Sequence, residues 1–142
     1  MLNSSSQNSY LRIIKQGLKV IEKKKVKCQT PIAMWSVKGN DDDDNMKLIV
    51  LGFPNKTIVF SLQEGSYVSS SEPGLETGVT TIYIGRLRDN SLIQITANGF
   101  RHITKNNVRP MKIDGTILKG TTKGGQMVLA LQGGVIIYYE LD

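Results

Sequence analysis

One histidine, one cysteine and a run of four aspartates are the side chains here with most chemistry to offer. Nucleophilic catalysis needs a base beside the nucleophile, and a structural zinc site needs four nitrogen or sulfur ligands. His102 stands alone, and on an extended strand it shares a face with Phe100, so it is expected to be structural or surface-lying. Cys28 sits in a lysine-rich stretch, but no histidine neighbours it, and a strand-end cysteine is the simpler reading. With no second cysteine it forms no internal disulfide, which suits a reducing compartment. Asp41–Asp44 lack the alternating spacing, glycine bend and distal glutamate of a calcium loop. Four adjacent like charges repel and solvate, so they predict an exposed loop tip. Lys119-Gly120-Thr121 and Lys123-Gly124-Gly125 lack the spacing of a phosphate-cradling loop. No enzyme motif survives, and neither a cofactor nor a metal is expected.

Charge is the remaining lead. Arg12, Lys15, Lys19, Lys23, Lys24, Lys25 and Lys27 fall within one short window that holds a single acid, Glu22. That window carries the whole net charge of +6, and the remaining residues balance at eleven of each sign. Two readings stay open. Lysines on an outer strand blunt edge-to-edge aggregation; they also form a contact surface for phosphates or an acidic partner. No aromatic side chain is interleaved with them, so stacking on single-stranded bases is not expected, and any RNA contact would be weak and sequence-blind.

These residues must be carried by strands, because no helical period of useful length is visible. Three cassettes share one pattern: apolar strand, tight polar turn, apolar strand. They are Leu48–Phe53 with Thr57–Leu62, Leu92–Ala97 with Phe100–Thr104, and Met127–Gln132 with Val135–Leu141. The turns are Pro54-Asn55-Lys56, Asn98-Gly99 and Gly133-Gly134. Looser strands precede them at Ile32–Val37, Ile82–Leu87 and Ile117–Thr121, and outer strands are expected near Tyr67–Ser69 and over Val108–Ile113. Leu48-Ile49-Val50-Leu51 is apolar at every position, as a strand buried on both faces must be. Most of the 14 glycines are expected in turns that need a positive φ. Trp35, in a strand beside an inner neighbour, is expected to be largely buried.

A repeat of roughly 40 residues made only of strands defines stacked four-stranded blades. The fold class is therefore all-β: a partial, WD40-like β-propeller of antiparallel blades over residues 10–142, after a flexible lead-in at residues 1–9. Tyr10–Lys15 and Leu18–Glu22, joined by Gln16-Gly17, read as the last two strands of one blade. Two complete blades and most of a further one follow. That is too few strands to close a ring, so the expectation is a fragment of a longer propeller protein with open edges. The N-terminus lacks the basic start and apolar core of a secretory signal, and no stretch approaches the ~18 apolar residues of a membrane span. No membrane partner is expected. A blade array is a platform whose function lies in what it docks.

The order of residues also resembles a known family. Leu11-Arg12-Ile13-Ile14-Lys15-Gln16-Gly17-Leu18, Pro31-Ile32-Ala33-Met34-Trp35-Ser36-Val37, the acidic loop and Ile49-Val50-Leu51-Gly52-Phe53 are similar to the start of the second propeller in a family of triple-propeller proteins. That family includes the third subunit of splicing factor 3b, the large damaged-DNA-binding protein and the large cleavage-and-polyadenylation specificity subunit. The run from Leu92 to Ile103 and the run from Val128 to Asp142 point to its splicing branch. The tryptophan that the family tends to carry after the first of these runs has no match in Val108-Arg109-Pro110-Met111. The resemblance implies a nuclear, non-enzymatic scaffold in pre-mRNA splicing, acting with U2 small nuclear ribonucleoprotein at the intron branch site. It implies, as partners, the other splicing factor 3b subunits: one helical-repeat protein and small accessory proteins. Two alternatives remain at this point: a platform in a ubiquitin ligase or DNA-repair complex, and a direct RNA- or DNA-binding module using residues 12–27.

Overall fold

The computed structural model describes residue 25, residues 27–38 and residues 46–141. The expected hairpin of Tyr10–Lys15 and Leu18–Glu22, the lead-in and the Asp41–Asp44 loop lie outside the described residues. Every regular element within them is a strand: β1 (Ala33–Lys38), β2 (Met46–Phe53), β3 (Lys56–Gln63), β4 (Ser66–Ser70), β5 (Tyr83–Arg86), β6 (Leu92–Thr96), β7 (Gly99–Ile103), β8 (Val108–Lys112), β9 (Ile117–Lys123), β10 (Gln126–Leu131) and β11 (Val135–Glu140).

Each strand hydrogen-bonds to the next in antiparallel fashion within three sheets. The sheets run β1-β2-β3-β4, β5-β6-β7-β8 and β9-β10-β11. The first strands of successive sheets approach one another, β1 beside β5 and β5 beside β9. The sheets therefore stack face to face with their first strands together, which is the radial arrangement of propeller blades.

Two cores lie between the blades. Val37, Leu48, Val50 and Val59 of the first blade meet Ile84, Leu92 and Ile103 of the second. Ile93, Ile95 and Phe100 of the second meet Ile117, Met127, Leu129 and Leu131 of the third. The middle blade is packed on both faces, so all five residues of β6 are buried. Two of the five, Gln94 and Thr96, are polar; the unbroken apolar run Leu48-Ile49-Val50-Leu51 lies in β2 and is buried except at the half-buried Ile49. Phe100 sets its ring edge against Tyr139 of the third blade, centroids 5.5 Å apart.

The expected elements agree with the structure to within one or two residues, and three details differ. Gly99 lies inside β7 rather than in the preceding turn, which is Ala97-Asn98. A Cβ there would stand 2.0 Å from the Met111 carbonyl oxygen, so glycine is required by the close approach of β8. Only six of the twelve described glycines have a positive φ, and Asn55, Glu64 and Asn90 occupy turn positions of that kind instead. Trp35 is half-buried against the first inter-blade core. It lies on the innermost strand, which has a sheet neighbour on one side only, so its indole is covered less than a mid-sheet residue would be.

Candidate interaction surfaces

Of the seven basic residues singled out in the sequence, Arg12, Lys15, Lys19, Lys23 and Lys24 lie outside the described residues. Lys25 and Lys27 are exposed, as is Cys28 beside them. These three precede β1 and belong to no strand.

His102 is not alone in space. Its Nε2 lies 2.8 Å from Ser91 Oγ, and Ser91 in turn reaches Asp89. The three residue types are those of a hydrolase triad, but the proton order is different. Ser91 donates both its backbone N–H, at 3.0 Å, and its hydroxyl, at 2.5 Å, to Asp89 Oδ1. A hydroxyl has one proton, so Ser91 Oγ must accept from His102 Nε2–H. A catalytic serine gives its proton to the imidazole. Here the imidazole gives one to the serine, so the cluster ties strand β7 to the β5–β6 turn and activates no nucleophile.

Those bonds to Ser91 hold the Asp89 carboxyl below its usual value of 3.8, aided by His102 and opposed by partial burial. A carboxyl with a lowered folded-state pKa contributes stability that is complete above the unfolded value and lost as pH falls through the folded one. Wild type should therefore lose stability more steeply than Asp89→Asn as acid unfolding is followed downward from pH 3.8. Identical acid limbs for the two proteins would show that the carboxylate does not hold this turn.

Beside the turn lies a cleft of about 580 Å³ between the β4–β5 connection and the second blade, lined by Glu72, Pro73, Arg86, Asp89 and Lys105 among others. Arg86 is already engaged there. Its Nε donates to the Lys38 carbonyl at 2.8 Å, and its Nη1 donates to the Asn90 carbonyl. The cleft thus mixes two acids with two bases and holds its best donor in backbone contacts. Among the described residues no three His, Cys, Asp or Glu side chains converge on a metal position.

A second polar chain runs between the first two blades. Gln94 is fully buried in β6. Its Oε1 accepts from the Glu76 N–H at 2.8 Å, and its Nε2 donates to the Glu76 carbonyl and to Thr81 Oγ1, both at 2.8 Å. Thr57 Oγ1 donates to the Val79 carbonyl at 2.7 Å, so the 2.7 Å contact between the two threonines is Thr81 donating to Thr57. Thr80 Oγ1 in turn donates to the Phe53 carbonyl and accepts the Asn55 N–H, each at 2.8 Å. The connection from the first blade to the second is thereby held to both. Gln94 drew no attention as a functional position in the sequence. A lone amide inside Leu-Ile-Gln-Ile is the signal that could have found it, since a buried amide must have partners.

Charge also separates in a way the neutral balance outside residues 12–27 conceals. Between Asn90 and Ile113 there are four cations, Arg101, Lys105, Arg109 and Lys112, and no acid. The hairpin β7–β8 gathers them on one outer element: Lys105 is in its turn and Arg109 and Lys112 are on its outer strand, all exposed. A local count over residues 91–112 would have exposed this concentration in the sequence; the pairing adds that the cations belong to one hairpin.

Stacked antiparallel sheets of four, four and three strands, first strands together, define a partial β-propeller. The chain matches the family described as the RSE1/DDB1/CPSF1 second beta-propeller over residues 21–142, and it belongs to that family. It is 34% identical over 137 residues to pre-mRNA-splicing factor rse1 of Neurospora crassa, a match covering 94% of this chain and 11% of that protein. It is 33% identical over 138 residues to spliceosome-associated protein 130 A of Arabidopsis thaliana, covering 94% and 11%. It is 30% identical over 138 residues to splicing factor 3B subunit 3 of Danio rerio, again covering 94% and 11%. The chain thus spans about one ninth of the length of these curated relatives.

Proposed function

We propose that this chain is a scaffold segment, without chemistry of its own, in a nuclear complex for pre-mRNA splicing. The observation that carries the reading is the naming of its relatives as splicing factors at 30–34% identity across 94% or more of its length. The site geometry supports it. The one Asp–Ser–His cluster is spent on holding a turn, and the buried amide is spent on holding a connection between blades. What remains for function is surface. The partners are the other splicing factor 3b subunits, a helical-repeat protein and small accessory proteins, and the process is branch-site recognition with U2 small nuclear ribonucleoprotein.

Affinity capture from nuclear extract with the full-length protein containing this chain tests the assignment. Recovery of splicing factor 3b subunits and U2 RNA is the expected result; recovery of ubiquitin-ligase subunits in their place would overturn it. Direct RNA binding is separable by titration. If the segment from Arg12 to Lys27 grips single-stranded RNA, affinity should fall by roughly 0.7 log units per log unit of salt for each phosphate contact. A scaffold predicts weak, sequence-blind binding by wild type and negligible binding once Lys23, Lys24, Lys25 and Lys27 are changed to serine. Tight, sequence-selective binding that this variant loses would refute the scaffold reading.

A further inference from the structure

We propose that the β7–β8 hairpin of the middle blade is a docking surface for an extended acidic protein segment. The proposal is independent of the splicing assignment and rests on charge, exposure and edge geometry. Lys105, Arg109 and Lys112 are exposed, and among the described residues none of them has a carboxylate within ion-pairing distance. Arg101, the neighbour of Pro110 across the hairpin, has only a loose ion pair, Nη1 3.6 Å from Glu76, and its buried Nε has no hydrogen-bond partner. Four cations thus sit on one hairpin, and among the described residues the one ion pair they form is the loose contact of Arg101 with Glu76; Glu72 and Asp89 share the cleft with Lys105 without pairing to it.

The edge geometry narrows the partner. β8 is the outermost strand of its sheet, bonded to β7 alone. Pro110 has no N–H to donate, so strand addition along β8 is interrupted at its centre. A ligand here is held through side chains. Besides the cations, the exposed groups of β8 are Pro110 and Met111, the latter 49% exposed, and the turn adds Thr104, Asn106 and Asn107. Of the two rings of the hairpin, Phe100 is buried against Tyr139 and the imidazole of His102 is half-buried and bonded to Ser91, so neither is presented as an open stacking face. Nucleic acid would find phosphate contacts but no ring on which to stack a base. An acidic polypeptide finds both complements: carboxylates for Lys105, Arg109 and Lys112, and an apolar side chain for the flexible thioether of Met111.

Fluorescence anisotropy on the 142-residue chain tests this. The probe is a short labelled peptide of glutamates interrupted by leucines, with its glutamine counterpart and a single-stranded oligouridine as comparison arms. Wild type should bind the glutamate peptide, prefer it over the other two, and lose it as salt is raised. The triple variant Lys105→Glu, Arg109→Glu, Lys112→Glu should bind it about tenfold or more weakly, one decade for each 1.4 kcal/mol of charge-pair energy lost. All three side chains are exposed, so its thermal midpoint should match wild type; Lys119→Ser with Lys123→Ser, two exposed cations of β9, serves as a control that leaves binding intact. Met111→Ser should weaken the leucine-containing peptide about threefold and leave an all-glutamate peptide unchanged, a result that charge attraction alone does not produce. Peptide binding that survives the charge reversal would overturn the proposal. So would tighter binding of oligouridine than of peptide, or a triple variant that self-associates while its peptide affinity is unchanged, which would mark these charges as guards of a strand edge.

Discussion

Phe100→Ala should lower the stability of the chain by about 3–5 kcal/mol, the cost of deleting a buried aromatic side chain. Phe100 is 4% exposed, sits among Ile95, Leu129 and Leu131, and stacks edge-on against Tyr139. It belongs to β7, while Tyr139 belongs to β11 of the next sheet. The substitution therefore removes contacts between blades as well as within one. Denaturant unfolding of the two proteins measures the loss. Tyr139→Leu in a double-mutant cycle should show coupling of about 0.5–1.5 kcal/mol, the increment of a well-oriented aromatic pair. A Phe100→Ala protein with unchanged midpoint would mean that the second and third blades are not packed as described.

Gln94→Leu should cost about 2–3 kcal/mol, although it adds apolar volume to an apolar strand. The side chain of Gln94 satisfies the N–H and the carbonyl of Glu76 and donates to Thr81. Leucine leaves those groups without partners, and each buried orphan costs about 1–3 kcal/mol, less where water can reach it. The readout that separates this from general core damage is local. Amide exchange should accelerate over residues 75–81, which the glutamine fastens, before it accelerates in β10. Equal acceleration in both places would show that Gln94 supports the whole fold and not the connection between blades.

The alternation of apolar and polar residues and the turn chemistry were enough to place every described strand. Strand period, β-branched content and turn residues are local properties, and each blade strand pairs with its chain neighbour, so local order and spatial order coincide. Burial of β2 was legible in part for the same reason: Leu48-Ile49-Val50-Leu51 is apolar at every position, and all but the half-buried Ile49 are buried.

What the sequence did not show is which groups meet between neighbouring strands and turns of one blade. His102 looked solitary, since its partners lie 11 and 13 positions away on a turn that β-pairing brings to it, and the direction of the proton between them follows only from the observed bonds. Gly99 looked like a turn residue until the nearness of the Met111 carbonyl revealed a packing demand from the neighbouring strand. Arg101, Lys105, Arg109 and Lys112 looked balanced by acids elsewhere in the chain. A whole-chain charge sum hides the acid-free window of residues 91–112 that holds them; what the structure adds is that the window is one hairpin, with Lys105, Arg109 and Lys112 exposed, because a field at a surface is a sum over distance.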